Sequence, residues 1–175
     1  FDVQLISNGV CCCYKYDGHY EFYPFPCDLE IHYALGAEGF SFKAIVRNTG
    51  TQVLPFHIGW HPYFKVQRNW GLTPEPTVRL IKNEFSYPGE EIPYAGHEWA
   101  EEVDGAFFYS DNPRIRNDEY TLEIKKLAPI VQIFRPANAP FIAVEPVTGL
   151  GHPDFPWIEV PPGQYREIRT AITLV

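Results

Sequence analysis

Between Cys27 and Arg47 the side chains alternate between apolar and polar with a period of two, and this period constrains the fold more than any other feature. Leu29, Ile31, Tyr33 and Leu35 share one face of the first run, with Asp28, Glu30 and His32 on the other. Gly36 to Gly39 turns the chain, after which Phe40, Phe42, Ala44 and Val46 alternate with Ser41, Lys43 and Arg47. Successive side chains on a strand point to opposite faces, so the two runs predict a half-buried hairpin. No stretch keeps a helical period of useful length.

The rest of the chain repeats this grammar. Asp2 to Tyr16 reads as strand broken by Asn8-Gly9, a dipeptide suited to a tight turn. Further strands are predicted at Thr77 to Phe85, Ala106 to Tyr109, Tyr120 to Lys125, Ile130 to Phe134, Phe141 to Glu145 and Gln164 to Val175, the last with Ile168, Ile172 and Leu174 inward. Gly71 to Pro76, Ser86 to Gly105 and Gly149 to Gly163 read as loops, the second long enough to suggest a functional one. About ten short strands between Gly/Pro turns predict an all-β sandwich or barrel in one domain spanning residues 1–175. The 17 prolines and 13 glycines fit turns between strands rather than disorder.

Charge and cysteine usage narrow the partners. A formal net charge of -8 disfavours nucleic acid, which calls for a basic face, and leaves a neutral small molecule as the expected ligand. With no apolar run long enough to span a bilayer and no secretory signal, the chain is expected to be cytoplasmic and free of membrane. Cys11, Cys12 and Cys13 alternate in direction along a strand, so the triplet offers no common metal face. They and Cys27 are expected to be reduced, partly buried thiols, with a disulfide to Cys27 as the weaker option. The chain lacks methionine, so it is expected to be a fragment or processed form of a longer one.

Pro55 to Phe64 (P-F-H-I-G-W-H-P-Y-F) is the candidate site. Read as extended up to Pro62, it puts Phe56, Ile58 and Trp60 on a core face and His57, Gly59 and His61 on an open polar shelf. His61 is then either a proton donor or ligand, or a histidine satisfied by local hydrogen bonds. His57 reads as support. Glu145 ends the apolar strand F-I-A-V-E-P, where a carboxylate is paired, used, or reaches water. Asp104 reads either as a turn residue before Gly105 or as an acceptor for ligand hydroxyls. Tryptophans such as Trp60 can offer flat apolar faces to sugar C–H groups. Arg114 and Arg116 are the basic residues that a phosphorylated ligand would call on. His32 reads as a solvent-face strand residue, and His19, His97 and His152 lie in loops and carry no argument individually.

These stretches together resemble the aldose 1-epimerase (galactose mutarotase-like) family. Gly59 to Phe64 resembles its G-x-H-P-Y-F histidine motif, Phe141 to Gly149 its C-terminal glutamate motif, and Pro161 to Gln164 and Tyr23 to Leu35 further conserved stretches of it. The resemblance implies a large antiparallel β-sandwich, the mutarotase-like supersandwich, whose concave sheet holds a monosaccharide, free or phosphorylated. It implies anomer interconversion with no cofactor and no metal. By matched position it implies His61 as general acid and Glu145 as general base, with Asp104, His57, Trp60 and Tyr63 binding substrate. Family members carry a longer N-terminal part with an arginine and a second active-site histidine. No counterpart is found here, so the domain is expected to be partial. A non-catalytic carbohydrate-binding sandwich or an accessory domain is the alternative, and the oligomeric state is left open.

Overall fold

The computed structural model describes the chain apart from residues 67–68, 83–87, 97–98, 100 and 151–155. His97 and His152 therefore lie outside the described residues. The described residues form antiparallel strands and no helix. None of them belongs to a helix long and apolar enough to cross a membrane.

In chain order the strands are β1 Asp2–Ile6, β2 Gly9–Tyr16, β3 Cys27–Gly36, β4 Gly39–Asn48, β5 Leu54–Phe56, β6 Tyr63–Lys65, β7 Gly71–Thr73 and β8 Val78–Lys82. They continue as β9 Pro88–Pro93, β10 Val103–Phe108, β11 Arg114–Arg116, β12 Thr121–Ile124, β13 Ile130–Arg135, β14 Phe141–Pro146, β15 Ile158–Val160 and β16 Tyr165–Leu174. Contacts gather them into two units, Phe1–Phe56 with Trp157–Ala171, and His57–Pro156 with Ile172–Val175.

In the first unit β1 to β4 lie side by side in chain order, with β16 beyond β4, and β5 pairs with β15. The predicted hairpin forms. Leu29, Ile31, Tyr33 and Leu35 stand opposite Val46, Ala44, Phe42 and Phe40, so both apolar rows share one face, and Phe42, Ala44 and Val46 are buried. Asn48 closes this unit: its buried amide donates to the Gln52 and Val160 carbonyls and accepts from the Gly50 N–H.

The second unit is a sandwich. One layer is the six-stranded sheet β6-β14-β13-β10-β8-β9, and the other holds β7, β11 and β12 with the last residues of β16. Phe64, Val103, Phe107, Val131, Ile133, Ile142 and Val144 from the first layer pack with Leu72, Ile115 and Ile124 from the second, all buried. Removing that apolar area from water drives the two layers together.

Several elements depart from the expectations. Gly71–Thr73 and Arg114–Arg116 pair with each other as short strands rather than loops. Three residues are too few to show a period. The long loop after Ser86 contains β9, whose prolines at both ends suit its position at a sheet edge, where a missing N–H costs no ladder bond. The loop after Gly149 likewise holds β15. Leu174, expected inward, is 67% exposed. The four cysteines are free thiols, with Cys11 buried.

Candidate active site

Strand pairing fixes which side chains share a face of the six-stranded sheet. Tyr63 stands opposite Ala143, Glu145 opposite Gln132, and Gln132 opposite Ala106. Asp104 lies two residues before Ala106 and pairs with Phe134. Cross-strand partners point the same way, so Tyr63, Glu145, Gln132, Phe134 and Asp104 share the face turned away from the sandwich core.

His61 joins that face through the same ladder. Pro55 to Phe64 is not one continuous strand: β5 ends at Phe56 and β6 begins at Tyr63. Between them, however, Gly59 bridges Val147, with the Trp60 N–H donating to the Pro146 carbonyl at 3.1 Å and the Thr148 N–H to the Ile58 carbonyl at 2.9 Å. The Gly59 and Tyr63 pairings belong to one register, which sets His61 directly opposite Glu145. The ladder is interrupted because Pro62 and Pro146 have no N–H to contribute. The predicted alternation therefore survives in direction although the strand does not survive in hydrogen bonding.

At that position His61 Nε2 lies 3.1 Å from Glu145 Oε1. The two environments differ. Half of the His61 side chain is open to solvent, whereas 11% of the Glu145 side chain is. A carboxylate this deep is costly without a charge or hydrogen-bond partner, and the imidazole supplies one. The Tyr63 ring stacks on His61 at 4.8 Å, the Phe141 ring meets Tyr63 edge-on at 5.4 Å, and Phe134 lies 6.4 Å from His61. Beside them Gln132 Nε2 donates to Asp104 Oδ1 at 2.8 Å, and Asp104 is exposed. The arrangement is a carboxylate and an imidazole in contact, a second carboxylate within the same face, and aromatic walls.

The remaining sequence candidates fall elsewhere. His57 is half-buried, with Nδ1 3.5 Å from Thr148 Oγ1. Burial holds its imidazole below the ordinary value of 6.5. Thr148 also accepts the Ile58 N–H at 2.9 Å, so His57 belongs to the tether that fixes the segment before His61. Trp60 falls on the opposite side of the segment from His61 by alternation. At Gly59 an added Cβ would lie 2.9 Å from Val147 Cγ1, so this crossing requires glycine. Arg114 is on β11, in the other layer, where it pairs with Glu123 at 2.7 Å. That guanidinium first, and Asn112 after it, hold the Glu123 carboxyl below its usual range.

Gln132, Phe134 and Phe141 were not singled out from the sequence. For Gln132 a signal existed, since it is the one polar residue in I-V-Q-I-F. A lone amide inside a buried run has to find a hydrogen-bond partner.

Comparison with known proteins bears on the family and the fold. The family model described as aldose 1-epimerase matches residues 1–114. A candidate aldose 1-epimerase from Escherichia coli K12 superposes with a TM-score of 0.82 at 20% identity, over 99% of this chain and 67% of that one. A galactose mutarotase-like protein from Lactobacillus casei gives 0.81 at 22% identity, over 100% of this chain and 73% of that one. A GalM/aldose epimerase homologue from C. elegans gives 0.79 at 12% identity, over 99% and 68%. No match is found among curated proteins. With two thirds of its length matched by the family model and its whole length by that fold, the chain belongs to the aldose 1-epimerase family.

Proposed function

We propose that the chain is an aldose 1-epimerase acting on a monosaccharide, with His61 as general acid and Glu145 as general base. The observation that carries this reading is the 3.1 Å approach of His61 Nε2 to Glu145 Oε1 on a face that also bears Asp104. Ring opening needs two groups within reach of two oxygens on one carbon. The Glu145 carboxylate takes the proton of the anomeric hydroxyl while the His61 imidazolium gives its proton to the ring oxygen. The bond from the anomeric carbon to the ring oxygen breaks and a carbonyl forms. Rotation about C1–C2 and reclosure, with the proton transfers reversed, give the other anomer. Positioned acid–base groups contribute about 10²- to 10⁴-fold each, and holding both against one substrate removes the entropy cost of assembling them.

The other groups support binding. Asp104, fixed by Gln132, accepts hydrogen bonds from sugar hydroxyls, and the Tyr63, Phe134 and Phe141 rings offer apolar faces to ring C–H groups. Polarimetry of freshly dissolved α-D-glucose, α-D-galactose and hexose 6-phosphates tests the reading. Glu145→Gln and His61→Ala are each expected to lower the enzymatic rate by about 100-fold or more, while Asp104→Asn raises KM more than it lowers kcat. Rates equal to buffer across the panel would overturn the enzyme reading, and saturable sugar binding without acceleration would leave a binding protein in its place. Equal rates in wild type and both variants would overturn the assignment of His61 and Glu145.

A further inference from the structure

In the first unit a second cluster forms on the β2–β3 hairpin. Antiparallel pairing sets Cys11 opposite His32 and Cys13 opposite Glu30, which places these four side chains on one face and Cys12 on the other. Cys11 Sγ lies 3.7 Å from Cys13 Sγ and 3.6 Å from His32 Nε2, and His32 Nε2 lies 3.5 Å from Glu30 Oε2. One donor atom from each of Cys11, Glu30 and His32 lies within 4.8 Å of the other two, and among the described residues this is the group with that convergence.

The distances have a meaning in coordination chemistry. A tetrahedral zinc ion, with bonds of about 2.3 Å to sulfur and about 2.05 Å to nitrogen, separates two sulfurs by about 3.8 Å and a sulfur from a nitrogen by about 3.5 Å. The observed 3.6 Å between Cys11 Sγ and His32 Nε2 agrees with the second of these. We propose that Cys11, His32 and Glu30 bind a divalent zinc-class cation; Cys13 lies beside Cys11 but outside the convergent set.

The donor set selects the metal. Thiolate, imidazole and carboxylate suit zinc, whereas calcium and magnesium take oxygen ligands. Each thiol that binds releases its proton to solvent. Lys43 on β4 stands opposite His32, and Glu167 on β16 pairs with Arg169. Access is open, since 21% of the His32 side chain and 43% of the Glu30 side chain meet solvent. The linear pattern C-C-C hid this site because two of its three ligands come from the next strand.

Titration of the reduced, metal-free 175-residue chain with Zn²⁺ against a chromophoric chelator tests the site, with Co²⁺ as a spectroscopic probe. One equivalent should bind, and the cobalt form should show a thiolate charge-transfer band. Cys11→Ser and His32→Gln should each weaken binding by about tenfold or more, and Cys12→Ser should leave it unchanged. In wild type, Zn²⁺ should slow alkylation of Cys11 but not of Cys12, which needs no variant to fold. Absence of stoichiometric binding, wild-type affinity in Cys11→Ser and His32→Gln, or alkylation of Cys11 at the same rate with and without metal would overturn the proposal. None of these readouts depends on the sugar reaction.

Discussion

At the scale of single residues, the candidate site is defined by contrasts in exposure. Glu145 is sunk into the sheet and His61 stands at its mouth, so the carboxylate is held in place while half of the imidazole side chain meets water. His57 is held in the opposite condition. Its folded form binds a proton less readily than the ordinary value of 6.5, because burial disfavours the charged ring. The unfolded chain then takes up a proton at a pH where the folded chain does not. The contribution of His57 to stability is full above 6.5 and falls as pH drops through that value toward the lower folded one. Urea unfolding measured from neutral to mildly acidic pH should show this loss, and His57→Gln should flatten it. An unchanged pH slope in the variant would refute the assignment.

At the scale of elements, one threonine fastens the histidine segment to the glutamate strand. Thr148 Oγ1 accepts the Ile58 N–H and, at 3.2 Å, donates to the Ile58 carbonyl. Thr148→Val keeps the shape and removes both bonds, at an expected cost of about 1–2 kcal/mol in urea unfolding, whereas Thr148→Ser should cost less because it keeps the hydroxyl. Equal losses in the two variants would place the effect in packing. The same elements show where sequence reading succeeds. The Cys27–Arg47 hairpin was legible because ten-residue strands repeat their period several times. The three-residue strands β7, β11 and β15 contain too few residues to express a period, and only their partners, far away in sequence, make them strands. Within the site, His61, Glu145 and Tyr63 were legible from motif and alternation. Gln132 stood out locally as the one polar residue in I-V-Q-I-F, but its partner Asp104, like the place of Phe134, comes from a cross-strand register that no local pattern encodes.

At the scale of the whole chain, β1 is an outer strand of its sheet among the described residues, and Phe1 just before it, with Val3 and Leu5 on it, are 70%, 62% and 88% exposed. An apolar outer strand with an unpaired row of backbone groups is a template for association. The 175-residue chain should therefore sediment as larger species at rising concentration, and the double substitution Val3→Lys and Leu5→Lys should return it to a monomer. Concentration-independent monomer in the wild type would refute this. The two prolines in the His61–Glu145 ladder have a mechanical consequence. On the proposed mechanism a sugar's two oxygens enter between His61 and Glu145, which now touch, and a fully bonded ladder would resist that parting. Pro62 and Pro146 each remove one rung, which loosens the backbone pairing beside those two side chains.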